Sequence, residues 1–171
     1  PDPIGGVLWF GVDDSYSTVY TPFYCCNRIV PGCFAQGNGD MFQYSETSAF
    51  WIFNRVSNFA YLRYNIMIKD IQSVQSMLED SLLKHQVNIE ERAQIIYEQN
   101  KDKAIYFLTR YSIDQAEHVC FRWKRLFEDL LIKYIDGNVK TEPGKFDQPG
   151  YSEKWYREII EDSGEFYKVP K

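Results

Sequence analysis

Along residues 5–26, GGVLWFGVDDSYSTVYTPFYCC, two short runs rich in Val, Trp, Phe, Thr and Tyr flank the polar Asp13-Asp14-Ser15. This predicts a β-hairpin with arms near 6–12 and 17–24. In the second arm Val19, Thr21 and Phe23 face one way and Thr18, Tyr20 and Tyr24 the other, while Pro22 restricts that arm to an edge or a bulge. Residues 27–47 carry Pro31, Gly32, Gly37, Asn38, Gly39 and Asp40. These turn formers predict a loop longer than a routine connection, which is either functional or packed against something.

From Ser48 the period lengthens from two to about 3.6 and stays helical for most of the remaining chain. Thr47 or Ser48 is placed to cap a first helix, SAFWIFNRVSNFAYLRY, with Phe50, Phe53, Val56 and Ala60 on one stripe and Trp51, Phe59 and Tyr61 off it. A helix apolar on several faces is buried among neighbours. Met67, Ile71, Val74, Leu78 and Leu82 make the narrow stripe of a one-sided surface helix. A third helix is predicted from Ile89 through Ala93, Ile96, Ala104, Phe107 and Leu108 to Tyr111. Ser112 then caps a fourth with Ala116, Val119, Cys120, Trp123, Phe127, Leu130 and Leu131 inward, stopping at Gly137. Residues 138–150 read as a polar Pro/Gly loop, followed by a short helix capped by Ser152, ended by Gly164, and a docked or frayed tail to Lys171. The pattern predicts an α+β chain, mostly helical, with a hairpin and about four to five helices: 1–47 hairpin and loop, 48–137 helices, 138–171 loop, short helix and tail.

Composition narrows the function classes. The 171 residues, 44% hydrophobic and 25% charged, suit one domain with a sizeable core. Lys and Arg number 19 against 24 Asp and Glu, a net charge of -5, which disfavours nucleic acid as a partner. No apolar run has the length of a membrane span, so no membrane partner is expected. The opening Pro-Asp-Pro-Ile-Gly-Gly lacks Met and a basic, cleavable leader. A chain cut from something larger is expected, with any localisation signal upstream of Pro1 and the compartment left open.

The candidate chemistry is sparse. Cys25, Cys26, Cys33 and Cys120 form no CxxC pair, so a zinc site would need His85 or His118 brought in by the fold, and neither metal nor cofactor is expected. Cys120 lies on an inward helical stripe, where a thiol is usually a small buried hydrophobe. A Cys25 or Cys26 nucleophile with His118 as base lacks a local group to lower the thiol pKa. Structural cysteines, or a disulfide from Cys33 to one of the vicinal pair, are expected instead. Asp13 and Asp14 at the hairpin turn could orient an ammonium group or simply satisfy local backbone donors. Asn54, Arg55, Asn58 and Arg63 sit in an aromatic helix and must find partners there, by lining a cleft or by tying helix to sheet. Pro1 could serve as an amine base but offers no side-chain nucleophile. The chain's own residues therefore present no catalytic centre.

Two segments in order carry a resemblance. The hairpin with Ser17-Thr18-Val19-Tyr20-Thr21-Pro22-Phe23-Tyr24 is followed by the helix with Ser48-Ala49-Phe50-Trp51, Asn54 through Asn58, Phe59 and Tyr64, and then DIQSVQSMLE. Over about residues 7–80 this resembles the C-terminal region of the PepD-type dipeptidases, cysteine peptidases among the N-terminal-nucleophile hydrolases. The resemblance implies an αββα-layered enzyme that hydrolyses dipeptides through an N-terminal Cys exposed by processing, its α-amine acting as base. That Cys belongs to a segment not present here. None of the four cysteines inherits its role, and this chain by itself is expected to be inactive. Asp13, Asp14 and Asn54 are the candidate cleft residues, with no catalytic label carried onto them.

The expected partners are a dipeptide substrate in the longer protein, the missing N-terminal segment, and a second copy as homodimer through exposed hairpin edges, unless the hairpin packs onto the helices instead. Two other classes stand beside this reading. One is a non-enzymatic helical interaction module, motivated by the amphipathic helices and the lack of a local active site. The other is a small thiol enzyme or metal protein built on Cys25 and Cys26.

Overall fold

The computed structural model describes residues 4–168; the Pro1 amine and the end of the tail at Lys171 lie outside the described residues. The chain forms two compact units, Pro1–Leu130 and Leu131–Lys171. The fold is α+β and mostly helical, with two antiparallel hairpins and four α-helices among the described residues.

In the first unit, strands β1 (Val7–Phe10) and β2 (Thr21–Tyr24) pair antiparallel, Val7 opposite Tyr24 and Phe10 opposite Thr21. The Cys25 N–H donates to the Gly6 carbonyl at 2.8 Å, which sets the phase of the ladder. Pro22, opposite Trp9, then has its nitrogen on the outer side, where a missing N–H costs no ladder bond. No third strand continues the described sheet beyond β2. Helix side chains satisfy that edge instead: the Tyr20 amide donates to Glu79 at 3.0 Å, the Tyr24 amide to Ser112 Oγ at 3.4 Å, and Gln75 Nε2 donates to the Thr18 carbonyl at 2.6 Å. The hairpin thus packs onto helices, and β2 buries Thr21, Pro22 and Tyr24 together. This removes the simple inside-outside alternation that the sequence predicts for that arm.

The helical part differs from the predicted segmentation. Helix α1 (Ala49–Ala60) buries Ile52, Phe53, Val56, Ser57 and Ala60, whereas Phe50, predicted inward, is exposed. Helix α2 (Tyr64–Gln99) runs 36 residues and α3 (Lys101–Tyr134) 34, so the expected breaks near Val87 and at Ser112 do not exist. The chain reverses at Asn100, whose backbone is extended (φ -161°, ψ 108°). Its side chain caps α3 by accepting from the Lys103 amide at 3.0 Å. Ser112 faces the core as the acceptor for Tyr24, and a residue holding a tertiary contact inside a helix is no cap. The two long helices run antiparallel, as the Arg92 guanidinium over the Phe107 ring shows from one side of the reversal.

Ile4, Tyr24, Ala93, Ile105 and Leu108 form one buried cluster, with Val7, Cys26, Ile89, Tyr97, Phe107 and Tyr111 against it. Phe53 and Trp123 stack at 4.9 Å and tie α1 to α3. Tyr24 donates its hydroxyl to Glu90 at 3.2 Å. Burial, then the Glu90 charge, raises its pKa well above the usual value near 10. A folded-state pKa above the unfolded one keeps its stabilisation below pH ~10 and loses it as pH rises further, by at most about 1.4 kcal/mol per pH unit. Wild-type stability is therefore expected to fall more steeply than that of Tyr24→Phe between pH 10 and 12, measured by urea denaturation; parallel curves would contradict the assignment.

In the second unit the predicted loop at 138–150 is a second hairpin. Strands β3 (Val139–Glu142) and β4 (Lys145–Asp147) pair around Pro143-Gly144, with a register shift between Lys140 and Glu142. Gly144 has φ +79°, the left-handed conformation that a glycine adopts without strain in a tight turn. Helix α4 (Glu153–Ser163) starts as predicted, Ser152 accepting from the Trp155 amide at 3.2 Å.

Candidate functional site

The connection between β1 and β2 lies along one face of α1. Asn54 and Ser57 are one turn apart on that face, and both donate to the carboxylate of Asp13: Asn54 Nδ2 to Oδ1 at 2.8 Å, Ser57 Oγ to Oδ2. Asp13 holds φ +68°, a left-handed conformation that Asp tolerates better than most residues. Asp14 does not join this cluster. Its carboxylate accepts from the Tyr16 amide at 3.0 Å and the Ser17 hydroxyl at 2.9 Å, closing the turn locally. Of the three candidates the structure brings Asp13 and Asn54 together and leaves Asp14 as a turn residue. Ser57, buried opposite Asp13, is missed by sequence reasoning because a mid-helix serine carries no signal of its own.

The other polar residues of α1 serve packing. Asn58 Nδ2 bonds back to the Asn54 carbonyl at 2.8 Å, and the Arg55 guanidinium lies 4.5 Å over the Phe127 ring.

A cavity of about 540 Å³ opens between the end of β1 with Val12 beyond it, the 32–47 loop and the start of α1. Phe10, Val12 and Phe34 supply apolar wall, Asp40 a carboxylate, and Ser48, Ala49 and Phe50 the first turn of the helix. Phe10, Phe23 and Phe34 meet edge to face at 5.2–6.1 Å and stiffen one side. The loop is held by side chains: Ser45 and Thr47 hydroxyls donate to Asn38 Oδ1, and Trp51 Nε1 donates to the Asp40 and Gln43 carbonyls at 3.1 and 3.0 Å. Gly39 has φ +82°, and a Cβ there would stand 2.9 Å from the Gln43 carbonyl oxygen, so only glycine closes this loop without strain.

The family comparison covers this whole arrangement. Residues 1–77 match the model of peptidase family C69. That C69 region holds β1, β2, the loop, α1 and the start of α2, hence Asp13, Asn54, Ser57 and every cavity-lining residue. It relates this part of the chain to peptidases, and so to hydrolases. No curated protein and no solved structure matches the chain.

The four cysteines of the chain are free thiols, and the expected disulfide from Cys33 to Cys25 or Cys26 is absent. Cys33 interacts with Cys120 instead: the Cys120 side chain lowers the Cys33 pKa, while Cys33, then burial, raises that of Cys120. Burial raises Cys26. His118 lines a groove of about 240 Å³ with His85, Ser81, Tyr111 and Gln115, and none of the four cysteines lines it. His85 Nδ1 is held by the Ser81 carbonyl at 2.6 Å. Among the described residues no three His, Cys, Asp or Glu side chains converge as a metal site, and no helix is long and apolar enough to cross a membrane.

Proposed function

We propose that this chain is the C-terminal part of a PepD-type dipeptidase and contributes cleft wall rather than the nucleophile. The observation that carries the reading is the C69 match over residues 1–77, a span that contains both the cavity between β1, the 32–47 loop and α1 and the Asp13 carboxylate held by Asn54. The nucleophile is an N-terminal Cys on a segment outside this chain. Its thiolate attacks the dipeptide carbonyl with its own α-amine taking the proton, the C-terminal amino acid leaves as amine, and water releases the acyl group.

Asp13 is a positioning residue here. Both of its oxygens already hold Asn54 and Ser57, so it fixes the turn against α1 instead of meeting substrate. Two of the thiols, Cys26 and Cys120, fit the same division of labour, since burial disfavours ionisation of Cys26 and the Cys33 side chain together with burial disfavours that of Cys120. This chain alone is inactive.

The reading frame upstream of Pro1 in the transcript is the test. A continuous frame carrying a processed N-terminal Cys is the expected result. A start codon immediately upstream would overturn the reading in favour of a helical interaction module.

A further inference from the structure

We infer that Cys33 and Cys120 form a modification site, a dithiol that a low-molecular-weight disulfide such as oxidised glutathione converts into an intramolecular bridge tying the 32–47 loop to α3. The inference stands apart from the dipeptidase reading, and its test reads no peptidase activity.

The two thiols come from distant parts of the chain and meet at one cavity. Cys33 lies in a single 3-10 turn, Gly32–Phe34, flanked by Pro31 with ψ 137° and Ala35 with ψ 141°, both outside the helical region. Cys120 lies on α3 and is 5% exposed. Both line a cavity of about 400 Å³, together with Asn38 and Thr47 of the loop and Glu117 and Lys124 of α3. Their side chains also interact directly. A cysteine sulfur stands one bond beyond Cβ, so two that interact are close to the Cα separation of about 7 Å or less that a bridge needs. A one-turn segment between extended neighbours can make the remaining adjustment while α3 stays in place.

The surroundings assign the two thiols different parts. Cys33 is half-buried and also lines the 540 Å³ cavity, which Cys120 does not. The Cys120 side chain lowers the Cys33 pKa, against burial and the Glu117 charge, which favours Cys33 as the attacking thiolate. The Cys33 side chain, then burial, holds the Cys120 thiol protonated, while Lys124 favours its ionised form. In the reaction, the Cys33 thiolate attacks one sulfur of the small disulfide, a mixed disulfide forms, and the first small thiolate leaves. Capping of Cys33 ends its hold on Cys120, whose sulfur loses its proton, attacks the Cys33 sulfur and expels the second small thiolate. The chain gives up two electrons and two protons, and the reagent becomes two small thiols. The bridge closes a long stretch of chain, the case in which a cross-link restricts the unfolded state most, and it fixes the start of the loop that walls the 540 Å³ cavity.

The test is treatment of the reduced full chain with oxidised glutathione under nitrogen, blocking of free thiols with N-ethylmaleimide, and tryptic mapping without reduction. Cleavage after Lys and Arg puts Cys25 and Cys26 on residues 1–28, Cys33 on 29–55 and Cys120 on 111–122, so every pairing has its own mass. Expected is 29–55 joined to 111–122 with no glutathione on either, and a urea midpoint raised by about 1 M or more that dithiothreitol restores. Cys120→Ala should stop at glutathione on Cys33, and Cys33→Ser should leave Cys120 unmodified. Replacing Cys25 and Cys26 by Ser should leave the bridge in place, and the wild-type map decides without any variant. Glutathione retained on Cys33 beside a free Cys120 would overturn the inference. So would a main product joining 1–28 to either other peptide, or no reaction at Cys33 and Cys120. A bridge with an unchanged midpoint would overturn the tie between loop and helix.

Discussion

Replacing Trp123 by Ala is expected to lower the unfolding free energy by about 3–5 kcal/mol, the usual range for emptying a fully buried aromatic site. Trp123 is fully buried and stacks on Phe53 at 4.9 Å with planes 21° apart, so its loss leaves a cavity between α1 and α3 and an unmatched ring on α1. Trp123→Phe should cost far less, about 1–2 kcal/mol. The second ring persists, and the indole Nε1, buried with no hydrogen-bond partner, is removed together with its desolvation cost. Guanidinium denaturation followed by far-ultraviolet circular dichroism separates the two. An alanine variant within 1 kcal/mol of wild type would show that the α1–α3 contact is not what holds α1 in place.

Replacing Asp13 by Ala is expected to have the largest effect of any single change at the candidate site. It withdraws both acceptors from Asn54 and Ser57 and puts a residue with no αL preference at φ +68°. Together these are worth about 2 kcal/mol after allowance for the exposure of the carboxylate. Asp13→Asn keeps the left-handed preference and one acceptor and should lose about half as much. Asp13→Gly, free of the backbone strain but without acceptors, should fall between them. In the proposed full-length dipeptidase, Asp13→Ala would displace the turn beside the cavity and should lower kcat/KM about tenfold or more through lost positioning, with the dipeptide specificity unchanged. An alanine variant with unchanged stability and unchanged activity would remove Asp13 from the account.

Strong local signals made much of this fold legible in the sequence. The first hairpin follows from alternation around Asp13-Asp14-Ser15, α4 from the Ser152 cap, and the burial of Met67, Ile71, Leu78, Leu82, Ala116, Val119 and Trp123 from helical spacing. Where the reading failed, tertiary contacts override local propensity. Ser112 resembles a cap but serves Tyr24 across the core, and Asn100, an unremarkable polar residue in a polar stretch, makes the reversal. The hairpin at 139–147 was hidden because Val139 and Phe146 are the sole apolar residues of its two strands and fall on opposite faces, so no alternation shows. At the site, Asp13 and Asn54 were visible as polar residues out of place. Ser57 was not, since what distinguishes it is its neighbour Asp13.

In the proposed dipeptidase, this chain furnishes cleft wall for a nucleophile located elsewhere. Free amino acid release from dipeptides, measured for this chain alone beside the full-length reading frame, tests it most directly. Activity confined to the longer protein, and abolished there when the N-terminal Cys becomes Ala, is the predicted result. Dipeptide hydrolysis by residues 1–171 alone, lost on replacing Cys25 or Cys26, would contradict it and place the nucleophile within this chain.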